Sequence, residues 1–331
     1  MLITGGCGFI AKNFIRFLRS ERPGWRLVNV DALTYAGTVA GLPDESPTFH
    51  MVRGDIRDKS VVLDAISGCD ALIHFAAETH VDRSIASSAE FVSTNVMGLQ
   101  VLLDAAMHVG VPVFTHISTD EVYGSLAEHD EPWAESAPLA PRSPYAASKA
   151  AQDHLLLSYF HTHGMDVRLT RCTNNYGPFQ FPEKLVPLTI TNALRSKSIP
   201  LYGDGLQRRD WIHVEDHCSA ILRVLEVGRA GEIYNIGTGV ERRNRDVVKS
   251  ILGLLGLDEH LITYIPDRPG HDRRYALDSS KARHELGWSP SRSFESGLED
   301  TVKWYRQSEN WWAPILAGKY QEYYDAQYRH R

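Results

Sequence analysis

Two carboxylates stand next to each other in the segment HISTDEVYG, residues 116–124, where Asp120 and Glu121 follow Thr119 at the end of an apolar run. A carboxylic acid can protonate a leaving hydroxyl and a carboxylate can remove a proton from carbon, provided that their pKa values differ. Neighbouring like charges and partial burial can separate such values. The segment therefore predicts an acid and a base in one site, and the alternative is a polar loop that caps the next helix.

A second pair of reactive side chains occurs in RSPYAASKAAQDHLL, where Tyr145 and Lys149 are four residues apart. Ser143 is a favourable N-cap and Pro144 a favourable first helical residue, so we expect a helix to begin here. Tyr145 and Lys149 would then share one face, and an ammonium beside a phenol favours the phenolate. The pair predicts a base that accepts a proton from a substrate hydroxyl, although a surface contact has the same spacing.

A glycine loop, GGCGFIA, lies between the first apolar run and a helical pattern, with Gly5, Gly8 and Ala11 at GxxGxxA spacing. Small residues let the backbone approach a pyrophosphate, and the helix N-terminus supplies N–H groups. The next apolar run ends at Asp31, whose carboxylate would bond a ribose 2′-hydroxyl and repel a 2′-phosphate. These features favour NAD over NADP. A tight strand-to-helix turn and a strand-end cap are the alternatives.

The elements that must position these residues alternate in type. Short apolar runs such as LIT, RLVNVD, ALIHFAA and PVFTHIST are separated by amphipathic stretches, which is typical of α/β folds with a doubly wound parallel (Rossmann) sheet. EIYNIG at 232–237 could rejoin that sheet, whereas the Pro-, Gly- and aromatic-rich residues after 172 predict a loop-rich substrate surface. We expect an NAD-binding domain of 1–172 plus 211–238 and a smaller, interleaved α/β substrate domain of 173–210 plus 239–331.

The composition narrows the class of protein. The 331 residues carry a formal charge of −6 with no basic block, which disfavours nucleic acid. The four cysteines lack CxxC spacing and the 15 histidines contain no HExxH motif, so we expect reduced thiols and no metal. No apolar run is long enough to cross a bilayer, and Met1 leads directly into LITGG without a signal segment. A cytoplasmic location is expected.

The C-terminal segment NWWAPILAGKYQEYYDAQYRHR is rich in aromatic residues at mixed spacing. The aromatic side chains concerned are Trp311, Trp312, Tyr320, Tyr323 and Tyr324. We expect this segment to pack on the body of the protein or on a partner, since large aromatic side chains bury extensive apolar surface.

The separate motifs together resemble the extended short-chain dehydrogenase/reductase family over nearly the whole length of the chain. The residues that carry the resemblance are Gly5, Gly8, Asp31, Thr119, Tyr145 and Lys149. The resemblance implies that the Tyr is the base, that the Lys also holds the nicotinamide ribose, and that the Thr bonds the reacting oxygen. It implies a set of cofactor contacts: Gly5, Gly8, Phe9, Ile10, Asp31, Leu33, Thr34, Gly37, Asp55, Ile56, Phe75, Ala76, Ala77, Tyr145 and Lys149.

One branch of that family, the dTDP-glucose 4,6-dehydratases, is the most specific resemblance. Its strings occur in order: LTYAG, HFAAETHVDRSI, STDEVYG, NNYGPFQFPEKL, GDGLQRRDWIHVEDH and RPGHDRRYALD. Sugar epimerases of the family generally lack an acid and a base directly after the Ser or Thr. The resemblance implies that Glu121 removes the C5 proton and Asp120 protonates the departing O6 hydroxyl, between oxidation at C4 and return of hydride to C6.

The same resemblance implies contacts with dTDP-glucose and a homodimer formed through helices near 95–109 and 145–163. The implied substrate contacts are Thr79, Thr119, Asp120, Glu121, Asn174, Asn175, Lys184, Leu185, Pro200, Tyr202, Arg209, Arg268 and His271. Three departures from the pattern occur: Ala11 replaces a Gly, the first strand is expected to be short, and Val240 stands where relatives often have Asn.

Two rival functions remain open from the sequence. An NAD-dependent nucleotide-sugar 4-epimerase would use Tyr145 but would give Asp120 and Glu121 no required role. A non-catalytic NAD-binding protein would hold the cofactor without turnover, and the intact Thr, Tyr and Lys argue against it. The nucleotide base, thymidine or uridine, does not follow from the residues alone.

Overall fold

The structure of the protein is a computed structural model that describes residues 1–328. The strands are β1 (Leu2–Thr4), β2 (Leu27–Asp31), β3 (Phe49–Arg53), β4 (Ala71–His74), β5 (Val113–Thr119), β6 (Val167–Cys172), β7 (Asn174–Tyr176), β8 (Ile199–Tyr202), β9 (Arg208–His213), β10 (Ile233–Ile236), β11 (Glu241–Arg243) and β12 (Ile262–Ile265).

Helices separate most of the strands. They are α1 (Phe9–Glu21), α2 (Lys59–Ile66), α3 (Val81–Ala86), α4 (Ala89–Phe91), α5 (Gly98–Val109), α6 (Pro144–His163), α7 (Leu185–Leu194), α8 (Val214–Val227), α9 (Asn244–Leu255), α10 (Ser280–Leu286), α11 (Phe294–Gln307), α12 (Glu309–Ala317) and α13 (Lys319–Tyr328). A π-helical turn, Val92–Met97, joins α4 to α5, and 3₁₀ turns occupy Asp120–Tyr123 and Glu259–Leu261. None of the helices in residues 1–328 is both long and apolar enough to cross a membrane.

Seven parallel strands form the central sheet in the order β10-β6-β5-β4-β1-β2-β3. Successive residues of a strand point to opposite faces, so Leu2 enters one buried cluster and Ile3 the other. Helices α2, α5 and α6 cover the first face, and α1 and α8 cover the second. The predicted doubly wound sheet is therefore confirmed, and the segment around β10 does rejoin it.

The carboxyl ends of the parallel strands meet at one edge of this sheet, which is where such folds bind ligands. Asp31 ends β2, Thr119 ends β5 and Cys172 ends β6, with Thr119 opposite Cys172 in the register. As expected, β1 is short, with three residues. Residues far apart in sequence are thus brought to one edge.

The region expected to be rich in loops contains more regular structure than its irregular sequence suggests. Strand β7 pairs with β9, which also pairs with β11, while β8 pairs with β12. These strands are short, and their pairing partners lie far away in the chain, so local periodicity does not reveal them. The proposed domain boundaries stay a prediction.

The aromatic C-terminal segment packs on the body of the protein. Trp312 and Tyr320 are buried in a cluster with Tyr176 and Trp211, and the Tyr320 hydroxyl donates to the carbonyl of Pro182 at 2.9 Å. The side chain of Tyr323 and residues 329–331 lie outside the described residues. For the described part of the segment, packing on the body is the interpretation that the contacts support.

Candidate active site

A cavity of about 380 Å³ opens at the carboxyl edge of the central sheet. One wall comes from the Rossmann half, and the other comes from residues 172–184. The predicted cofactor contacts line this cavity with one exception, Leu33. The lining residues among them are Gly5, Gly8, Phe9, Ile10, Asp31, Thr34, Gly37, Asp55, Ile56, Phe75, Ala76, Ala77, Tyr145 and Lys149.

The glycine loop makes a close backbone approach. Gly5 has φ of +75°, and a Cβ there would lie 2.7 Å from the backbone of Ala76, so only glycine fits. Gly8 precedes the first residue of α1 and leaves the N-terminus of that helix open to the cavity. Ala11, which replaces the third glycine, is 1% exposed and packs into the core under the loop. The loop therefore retains the small residues that a pyrophosphate requires.

Asp31 organises the neighbouring loop and faces the cavity. Its carboxylate accepts hydrogen bonds from the backbone N–H of Cys7 at 2.8 Å and of Leu33 at 2.7 Å. Leu33 has φ of +54°, so it contributes to the site through its backbone. A glycine cradle, a helix N-terminus and a strand-end carboxylate in one cavity fit NAD, and the carboxylate disfavours a 2′-phosphate.

Helix α6 brings Tyr145 and Lys149 to the same cavity. The Ser143 hydroxyl accepts the N–H of Ala146 at 3.1 Å and Pro144 is the first residue, which confirms the predicted helix start. The Lys149 ammonium donates to the carbonyl of Ile117 at 2.8 Å. Burial lowers the pKa of Lys149 to about 8, against the opposing charge of Asp153.

The pKa of Tyr145 is shifted in the opposite direction to the one expected from the sequence. Burial raises the pKa of Tyr145 well above its ordinary value, and the nearby carboxylates of Glu121 and Asp120 act in the same direction. A hydrogen bond with Thr119 opposes them. Desolvation and negative charge therefore outweigh the expected lowering of the pKa by the ammonium, and the phenol is held protonated in this state.

Asp120 and Glu121 occupy a 3₁₀ turn that Thr119 caps, with the Thr119 hydroxyl accepting the N–H of Glu121 at 3.3 Å. Both carboxyl groups line the cavity next to Tyr145, which a purely structural helix cap would not require. Burial, then the charge of Glu121, raises the pKa of Asp120 well above its ordinary value.

Glu121 faces a different set of charges. Burial raises its pKa too, but the cations of Arg268, Lys184 and Arg209 act against that rise. Burial therefore raises the pKa of both carboxyl groups, and the three cations limit the rise for Glu121. This difference is in the direction that an acid and a base require.

The predicted substrate contacts form two groups. The first group lines the cavity: Thr79, Thr119, Asp120, Glu121, Asn174, Asn175 and Lys184. The second group does not line it: Leu185, Pro200, Tyr202, Arg209, Arg268 and His271. Within the second group, the guanidinium of Arg268 and the ring of His271 each lie 6.0 Å from the ring of Tyr202. These three side chains form a cluster that could hold a nucleotide.

Several predicted contacts are directed into the protein. The side-chain amide of Asn175 donates to the carbonyl of Thr173 at 2.9 Å, and its oxygen pairs with His217. Arg209 donates to three backbone carbonyl groups, so its guanidinium is fixed in place. Leu185 packs in two apolar clusters and Pro200 is buried within β8.

One residue that the sequence did not single out belongs near the site. Asp82 accepts the Arg268 guanidinium at 3.3 Å and the Tyr202 hydroxyl at 3.0 Å, so it orders the cluster of Arg268, His271 and Tyr202. Val240, which stands where relatives often have Asn, is half exposed.

A seven-stranded parallel sheet, a glycine cradle and a Thr, Tyr and Lys set at its carboxyl edge define the short-chain dehydrogenase/reductase class. The sequence profile of the family described as GDP-mannose 4,6 dehydratase matches residues 2–301. The chain belongs to this family.

Named relatives give the comparison more detail. A dTDP-glucose 4,6-dehydratase of Streptomyces niveus is 52% identical over 321 residues, which are 95% of each chain. DesIV, the dTDP-glucose 4,6-dehydratase of Streptomyces venezuelae, solved with NAD bound, has 50% identity and a TM-score of 0.92 over 95% of this chain and 99% of its own. A UDP-glucose 4-epimerase of Thermotoga maritima, solved with UDP-glucose, has 31% identity and a TM-score of 0.87 over 93% and 98%.

Proposed function

We propose that the protein is a dTDP-glucose 4,6-dehydratase that converts dTDP-glucose to dTDP-4-keto-6-deoxyglucose with NAD retained through each turnover. The observation that carries the proposal is the pair of buried Asp120 and half-buried Glu121 beside Tyr145, whose two carboxyl groups face different charges. The relatives with that name, at about half identity over nearly the whole chain, support the same substrate.

The first chemical step removes a proton from the C4 hydroxyl of the hexose. Tyr145 must lose its own phenolic proton before it can accept this one as a phenolate, and the Thr119 hydroxyl holds the reacting oxygen. Lys149 supplies positive charge on the same face of the helix. The glycine cradle, Asp31 and Lys149 are the residues that would hold NAD, which would supply a hydride acceptor for C4 and a hydride donor for C6.

The next step eliminates water. A ketone at C4 acidifies the proton on C5, which Glu121 removes, while Asp120 donates a proton to the departing O6 hydroxyl. Glu121 then returns the proton to C5 as C6 is reduced. Tyr145 then releases its proton to solvent, and Asp120 takes up a proton from solvent. The net reaction is loss of one water, and the cofactor ends as it began.

Three further statements belong to this proposal. The enzyme acts in the cytoplasm, which agrees with the absence of a membrane-crossing helix in residues 1–328. The substrate domain comprises 173–210 plus 239–331, and the protein is a homodimer. Thymidine as the base rests on the names of the relatives, whereas an epimerase of similar fold was solved with UDP-glucose.

Mass spectrometry of the product tests the function. Purified protein is mixed with dTDP-glucose without added NAD, and we expect a product lighter by one water. An unchanged mass with galactose after hydrolysis would instead identify a 4-epimerase, in which Asp120 and Glu121 have no required role. Untouched glucose from protein that carries NAD would contradict the dehydratase and favour a binding protein or another substrate.

A further inference from the structure

A contact across the mouth of the cavity joins two segments that are far apart in sequence. Thr34 and Ala36 face the cavity, but Tyr35 between them is not part of its lining. The Tyr35 hydroxyl instead donates to the Glu183 carboxylate at 3.0 Å. Glu183 belongs to the opposite wall of the cavity. The loop that follows Asp31 is therefore tied to the wall that faces it.

Arg83 braces both partners of this hydrogen bond. Its guanidinium lies 3.8 Å from the centre of the Tyr35 ring, and its Nε lies 3.5 Å from the second oxygen of Glu183. The Tyr35 ring also meets Phe181 edge to face at 5.6 Å. The Glu183 side chain is 2% exposed, so water screens these contacts little.

A second contact joins the same two walls further along. Gly41 approaches the ring of Phe179 so closely that a Cβ there would lie 2.5 Å from it. The side chains of Lys12 and Arg16 bond the carbonyl groups of Ala40 and Gly41, and both cations lie over the Phe179 ring. The segment 32–41 is thus fixed to 178–184 at both ends.

We propose that the hydrogen bond between Tyr35 and Glu183, braced by Arg83, is a latch that holds the two cavity walls together and retains NAD between turnovers. This inference rests on the proposed function, because a cofactor that is reduced and reoxidised within one turnover has no need to leave. Tyr35 and Glu183 are positioning residues. Their hydrogen bond acts by holding in place the loop that carries Thr34 and Gly37.

The rate of NAD dissociation tests the latch. Tyr35→Phe removes the hydroxyl and keeps the ring that stacks on Arg83. A hydrogen bond to a charged partner is lost, so we expect NAD to dissociate about ten to a hundred times faster than from the wild-type protein, measured by trapping released NAD with a second dehydrogenase. Tyr264→Phe is the matched control, because Tyr264 is 53% exposed on β12 and far along the chain from the latch.

A double-variant comparison identifies the bond itself. Glu183→Met, which keeps the length of the side chain but removes the acceptor, should also accelerate NAD dissociation. Because both changes remove the same hydrogen bond, the rate increase in the double variant should be well below the product of the two single increases. An unchanged rate in Tyr35→Phe, or independent effects in the double variant, would overturn the latch. Tyr35→Phe carries the test alone if Glu183→Met does not fold.

Failure of the latch and failure of the proposed function give different results. If wild-type protein releases dehydrated product from dTDP-glucose without added NAD, the function holds, and normal NAD retention by Tyr35→Phe then refutes the latch alone. If wild-type protein that carries NAD forms no such product, the function is refuted whatever the variant does. The latch further predicts that Tyr35→Phe loses bound NAD on gel filtration and recovers turnover when NAD is added.

Discussion

Asp120 and Glu121 are chemically similar residues in different electrostatic surroundings, and the roles proposed for them depend on that difference. Burial and the neighbouring Glu121 carboxylate both raise the pKa of Asp120. The rise in the pKa of Glu121 is instead counteracted by the cations of Arg268, Lys184 and Arg209. All three cations come from segments more than 60 residues beyond the pair in the chain. The division of labour therefore depends on the folded site and not on the order of the two residues.

Replacement of the base should separate oxidation from elimination. In Glu121→Gln the side chain keeps its size but cannot remove the C5 proton, so we expect NADH to form on addition of dTDP-glucose and dehydration to slow by about a hundredfold or more. Absorbance of NADH and mass spectrometry of the product measure the two steps. Tyr145→Phe is the contrasting variant, since it should form no NADH. Dehydration at the wild-type rate by Glu121→Gln would remove Glu121 from its role.

The pH dependence of the oxidation step should reveal the ionisation of Lys149. Its pKa is lowered to about 8, so the ammonium is present below that pH and is lost as the pH rises through it. Because the positive charge favours removal of a proton by Tyr145, NADH formation in Glu121→Gln should decline above about pH 8. Stopped-flow rates across the pH range check this. If the rate of complete turnover falls at high pH while the rate of NADH formation does not, the group that titrates is instead Asp120, which loses its proton.

At the scale of elements, helix α6 sets the spacing of the catalytic pair, and its N-terminus depends on one hydroxyl. Ser143→Ala removes the cap on the N–H of Ala146, which should lower the free energy of unfolding by about 1 kcal/mol. Denaturant unfolding of the NAD-bound protein measures this change. Ser158→Ala is the matched control on the same helix, where Ser158 is exposed and alanine is a better helix former. Equal stability of the Ser143 and Ser158 variants would contradict the importance of the cap.

Elements with strong local signals were predictable from the sequence. Asp31 and Thr119 end apolar runs that are strands, and Ser143 and Pro144 begin the helix that carries Tyr145. The contact of Tyr35 with Glu183 joins residues 148 apart, and nothing in the local pattern of either segment indicates it. The short strands after residue 172 were missed for the same reason, since each depends on a distant partner.

At the scale of the whole molecule, both halves of the chain supply the site. The Rossmann half provides the glycine cradle, Tyr145 and the carboxylate pair, while the later segments provide Lys184, Arg209 and Arg268. The cations that act on Glu121 all come from these later segments. Charges from the later segments thus act directly on the carboxylate pair of the first half.

The outer face of the segment from Val92 to Val109 should form the dimer interface. Met97 is 60% exposed, Met107 44% and Val109 42%, an arrangement of apolar side chains that a monomer would leave in water. We expect light scattering to give twice the mass of one chain. Met97→Glu should shift the protein towards monomer, because a charge buried in an apolar interface is costly. Leu254→Glu, at a similarly exposed apolar residue on α9, should remain dimeric, and a Met97→Glu dimer of unchanged stability would place the interface elsewhere.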